Sequence, residues 1–198
     1  MKGLARPGRR LAAALLAFNA ILVGLVPLSA DEPDQSIADR QMKARQSIAK
    51  TVKAVKDDYG EFHEFVQQGE KAVEEAVREV EGVVSADQLS PRAKKQLDKL
   101  RADVGACRAA DEKFRDRMQK MLDKAKAADA LTAQDGKTTG ELVALANELV
   151  QAYGNLKGEK WLSDAKRKSL GIDARAQNFR AHAARKAARG RSGGSQKK

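Results

Sequence analysis

The sequence predicts an all-α fold organised as a long antiparallel, coiled-coil-like helical hairpin, with a third covering helix and a basic C-terminal helix and tail. Three observations predict it. Two apolar seams share the same alternating step of four and three residues; they are mirrored about a short proline-containing turn; and no stretch alternates with period two, so no sheet is expected. With 42% hydrophobic but only 4% aromatic residues among 198, the chain suits an elongated helical body with thin burial per residue better than a large compact core.

Residues 1–30 have the three parts of an export signal. Lys2, Arg6, Arg9 and Arg10 precede the apolar run 11–26, and Pro27-Leu28-Ser29-Ala30 follows it ahead of Asp31 and Glu32. Cleavage after Ala30 is expected. Leu28 is larger than the small residue usual at that place, so an uncleaved N-terminal anchor is the alternative reading. The domains expected are therefore the signal or anchor over 1–30, the helical hairpin or bundle over 31–170, and a basic amphipathic helix with a disordered end over 171–198.

The first helix is expected to start behind Ser36 or Asp34 and to run to about Val84. Its seam reads Ile48, Val52, Val55, Tyr59, Phe62, Val66, Gly69, Val73, Ala76, Val80, Val83. Gly69 on this stripe suggests a close helix approach or a local bend. A stop and restart follows, in which Ser90 can cap and Pro91 can occupy the first helical position, where its missing N–H costs nothing. The second seam then runs Ala93, Leu97, Leu100, Val104, Cys107, Asp111, Phe114, Met118, Met121, Ala125, Ala128. Folding at the turn pairs Phe62 with Phe114 and Gly69 with Cys107, on arms of roughly 50 Å at 1.5 Å per residue.

Phe65 and Leu122 lie off the two-helix seam and need a third element to cover them. Thr138 and Glu141 have capping-box spacing ahead of Leu142, Leu145, Ala146, Leu149, Tyr153 and Leu156. This third helix is expected to cover the half near the chain ends and to leave the half near the turn projecting. Gly154 and Gly158 are read as interrupting it, with a shorter piece carrying Trp161, Leu162, Ala165 and Leu170 behind them. In the last segment Ile172, Ala176, Phe179, Ala183 and Ala187 share one face, and nothing in 191–198 would fold.

Charge is segregated along the chain. Residues 1–30 hold four basic and no acidic residues, 31–156 hold 21 basic and 24 acidic, and 157–198 hold 13 basic and three acidic. The body is nearly neutral and the end is a cation. Arg175, Arg180, Arg185, Lys186, Arg189 and Arg191 are the expected anionic-surface residues, since each cation near an acidic membrane is worth about 1 kcal/mol; a plain solvated terminus is the alternative.

Catalytic and metal chemistry find no pattern. His63 and His182 stand far apart, and Glu61-Phe62-His63-Glu64 lacks the second histidine that the zinc-protease helix needs one turn on. His63 reads as a solvated helix-face residue and Met118 and Met121 as core. The lone Cys107 reads as a small buried hydrophobe rather than half of an intermolecular disulfide. No Gly-rich phosphate loop or nucleophile elbow is present. The expectation is thus a non-enzymatic interaction protein without a cofactor, exported to a periplasm or the exterior. Its expected partners are other envelope or secreted proteins, an anionic membrane surface through the tail, and a second copy through the hairpin, with export disfavouring nucleic acid. The different-class alternative is a membrane-anchored or membrane-active helical protein.

Overall fold

The computed structural model describes residues 36–85 and 89–192, with side chains as far as Ala183. Among them are four α-helices and no strand: α1 Ile37–Glu81, α2 Pro91–Ala127, α3 Gly136–Gly158 and α4 Lys160–Ser192, with a 3-10 turn at Ala128–Ala130. The all-α class holds. The export-signal segment 1–30 and the last residues, 193–198, lie outside the described residues.

Helix starts follow local side-chain chemistry. At α1 the Ser36 Oγ accepts the Asp39 backbone N–H at 3.2 Å and donates to Asp39 Oδ2 at 2.7 Å, which satisfies one of the orphan donors of the first turn. Ser90 does the same for Ala93 N at 3.2 Å, directly before Pro91 opens α2. The third start departs from expectation. Asp135 is the cap, its carboxylate accepting from Thr138 N at 2.7 Å, so Thr138 lies inside the helix and is buried. An aspartate caps as well as a threonine, and starting earlier turns Thr138 and Thr139 inward. The hydrogen bonds from Thr138 hold the exposed Asp135 carboxyl below its usual value, against a smaller opposing effect of desolvation.

The ends differ from expectation as well. α1 stops at Glu81, where Val84 N turns back to Val80 O at 2.8 Å, and the final seam residue Val83 is 51% exposed. Gly154 lies inside α3, which ends only at Gly158, and the extended Glu159 (φ −66°, ψ 123°) separates it from α4. α4 then runs unbroken across Leu170 and Gly171, joining the expected short piece and the expected basic helix into one element of 33 residues. A helical glycine costs about 1 kcal/mol, which burial of a helix face outweighs.

Contacts divide the chain into two compact units. Among the described residues the first holds α1 up to Tyr59, α2 from Arg115, and α3 through Glu159; the second holds α1 from Gly60, α2 up to Phe114, and α4.

In the first unit Ala44, Ile48 and Val55 from α1, Met121 from α2, Ala128 from the 3-10 turn, and Leu142, Ala146, Leu149 and Tyr153 from α3 form the core. Polar side chains secure the chain between α2 and α3. Gln41 Nε2 donates to Ala133 O at 2.8 Å and to Thr139 Oγ1 at 3.0 Å, and Arg45 donates to the carbonyls of Ala128 (3.2 Å) and Leu131 (2.5 Å). Carbonyls that a helix end leaves unpaired are thereby satisfied.

In the second unit the rings of Phe62 and Phe114, one of the expected pairs, have centroids 6.0 Å apart and are tilted by 31°. Val66, Val73, Ala76 and Val80 of α1 and Ala93, Leu97, Leu100 and Cys107 of α2 are buried, and so are Leu162, Ala165, Ile172, Ala176, Phe179 and Ala183 of α4. The half of the seams near the turn therefore does not project bare; α4 covers it. Gly69 serves this packing directly, because a Cβ built there would sit 3.3 Å from Ile172 Cγ2, and its three nearest neighbours are all Ile172 atoms. Cys107 Sγ likewise points at α4, 3.6 Å from Ala165 O.

Candidate functional site

The basic residues singled out on α4 separate into two groups. Arg175 Nη1 donates to Asp103 Oδ2 at 2.5 Å while its Nε donates to Gly171 O at 3.0 Å, and Lys168 stands 3.5 Å from the same carboxylate. Burial alone would raise the Asp103 carboxyl, but the hydrogen bond and charge of Arg175, with Lys168 behind it, hold it below its ordinary value. Arg180 Nη1 donates to Glu79 Oε1 at 2.8 Å. Both arginines pin α4 to its own unit. Arg185, Lys186, Arg189 and Arg191 come after Ala183, the last residue with a described side chain, and 184–198 contain six basic and no acidic residues.

No protein-family model, curated protein or solved structure matches this chain. Its function has to be read from its own geometry.

Beside the Asp103 cluster, two further polar clusters escaped the reading of the sequence. In the first unit Tyr153 Oη donates to Asp58 Oδ2 at 2.5 Å, and Lys157 Nζ lies 4.0 Å from the same oxygen; Tyr153 and Asp58 are 1% and 4% exposed. Burial first, then the bond to Asp58 and its negative charge, push the Tyr153 phenol far above its ordinary value near 10. A raised acid stays protonated in the fold while its unfolded counterpart ionises. Stability should therefore be intact below about pH 10 and fall by about 1.4 kcal/mol per pH unit above it. Urea unfolding of the wild type and Tyr153→Phe at pH 9, 10 and 11 checks this: the slope belonging to Tyr153 should vanish in the variant.

In the second unit His63 is not a plain solvated residue. Its Nδ1 donates to Asp111 Oδ2 at 2.9 Å, and Gln67 Nε2 lies 2.8 Å from its Nε2, matching an imidazole with its proton on Nδ1. Asp111, the one acid in the second seam, thus has a partner from α1, while its Oδ1 is buried without one. Cys107 is fully buried, and burial together with the nearby Asp103 charge raises its thiol above the ordinary value. A thiol so placed is a poor nucleophile. Trp161 is half-buried, with the Lys113 ammonium 4.4 Å from its ring centroid, a cation–π contact that occupies the face a ligand would stack on.

Among the described residues no three His, Cys, Asp or Glu side chains converge to hold a metal, and no helix is long and apolar enough to cross a membrane. Concave features among the described residues include a groove between α1 and α2 in the second unit and, in the first, a shallow depression by Met42 and Gln134 and another lined by Met121, Ala152 and Leu156.

Proposed function

We propose that this chain is an exported, non-enzymatic helical interaction protein of the cell envelope that attaches electrostatically to an anionic surface through the end of α4 and the residues after it. The division of cations on α4 carries the reading. Arg175 and Arg180 are committed to Asp103 and Glu79, and six further cations follow without an acid among them. The apolar residues of α4 otherwise suited to enter a membrane, Ile172, Ala176, Phe179 and Ala183, are buried within the second unit. Attraction through this end is accordingly Coulombic rather than hydrophobic. The helical body, whose surface is rich in charge, presents faces to other envelope or secreted proteins.

Co-sedimentation with vesicles tests the attachment. Vesicles containing anionic lipid should retain the protein at low ionic strength and release most of it at several hundred millimolar salt, where the Debye length falls toward about 3–5 Å. A chain ending at Ala184 should not be retained. Equal retention on neutral lipid, or retention that resists salt, would reject the mechanism.

A further inference from the structure

The groove between α1 and α2 in the second unit has a volume of about 410 Å³ and two unlike walls. Glu70, Glu74 and Glu81 line it from α1, with Arg78 beside them, and Arg101 and Arg108 line it from α2. Glu70 and Arg108 are paired with each other across it. Glu74, Glu81 and Arg101 are exposed and form no ion pair with any described residue. The floor between the walls is apolar, with Val77 and Val104 only half-buried. Gly105 beside Val104 is open: a Cβ built there meets nothing within 4 Å.

We infer that this groove seats a second copy of the chain. A two-fold rotation about the long axis of the groove sets the α1 wall of each copy opposite the α2 wall of the other, so that acids face bases on both sides of an isologous contact. Rotation about an axis across the groove would set acid against acid, and the charges therefore select the first arrangement. The half-buried valines of the two floors meet in the middle. Gly105 lets the facing helix approach to the short end of the 8–10 Å range of packed helices. This contact uses a face distinct from the basic end of α4, so a chain ending at Ala184 should still dimerise, and failure of either reading leaves the other standing.

Sedimentation equilibrium of the protein purified after expression of the full chain, across the micromolar range, is expected to give twice the chain mass. Glu74→Lys and Arg101→Glu should each weaken association about tenfold or more, and the double variant should return to within about threefold of wild type, because the two positions face each other across the contact. Gly105→Leu places its side chain in open space in the single chain, so it should abolish the dimer without lowering the thermal unfolding temperature of diluted protein. A monomer at all concentrations, a dimer indifferent to these variants, or a double variant no better than the singles would overturn the inference.

Discussion

A chain ending at Leu170 is expected to lose the second unit, whereas a chain ending at Ala184 keeps it. The longer deletion removes Ile172, Ala176, Phe179 and Ala183, all buried, together with the pairs Arg175–Asp103 and Arg180–Glu79. Burial of Ile172 and Phe179 contributes about 2–3 kcal/mol each and the two alanines about 1 kcal/mol or less each, so the loss is of order 4–8 kcal/mol. That approaches the whole stability of an ordinary domain, about 5–15 kcal/mol. The shorter deletion keeps all of these residues and both pairs, so its cost should be far smaller. Urea unfolding followed by circular dichroism reads both, with reduced helical amplitude and a lower m-value for the chain ending at Leu170. Equal stability of the two would show that α4 contributes nothing to its unit. Any binding assay built on the longer deletion would confuse lost charge with lost fold.

The second large effect is expected at Asp58. Asp58→Ala removes the acceptor of the Tyr153 hydroxyl and the carboxylate 4.0 Å from Lys157 Nζ, at a place where Asp58 is 4% exposed. Breaking a buried charge pair from one side costs about 3–5 kcal/mol, because the remaining groups lose their compensation while staying out of water. The neighbouring Asp57 supplies the contrast. It pairs with Lys53 on the surface, both side chains more than half exposed, and Asp57→Ala should cost no more than about 0.5 kcal/mol. Asp58→Asn should fall between them, since an amide oxygen can still accept from Tyr153. A loss below about 1 kcal/mol for Asp58→Ala, measured by the same unfolding curves, would mean that the cluster relaxes into water and does not secure α1 to α3.

What could be read in advance divides by range along the chain. Apolar periodicity marked α1 and α2, and the serines at 36 and 90 marked their starts, because both signals act within one or two turns of helix. The pairing of Phe62 with Phe114 followed from equal seams. The third start was misplaced by three residues because Asp135 and Thr138 are both competent caps, and only burial of the threonines decides between them. Asp58 and Asp103 gave no signal, since a carboxylate on a helix looks the same in the sequence whether it meets water or a tyrosine far along the chain; Asp111 stood out as the one acid in the second seam, but nothing there named His63 as its partner. The largest revision, α4 as cover for the second unit, has the same origin. Its arginines read as an anionic-surface group or a solvated terminus, and a domain boundary was expected after residue 170. Only the closeness of Ile172 to Gly69 shows which face turns inward.

The order of synthesis now acquires a meaning. The residues that complete the second unit stand on the last of the four helices to emerge, and Gly69 receives Ile172 only after most of the chain has been made. Contacts of such long sequence separation form slowly, because loop closure precedes the reward. α1 and α2 therefore spend the interval with the seam residues Val66, Val73, Ala76, Leu97 and Leu100 incompletely covered, a form open to capture by a chaperone. Under the export proposed above, delaying closure until α4 arrives would be an advantage in time that a self-sufficient two-helix core would forfeit.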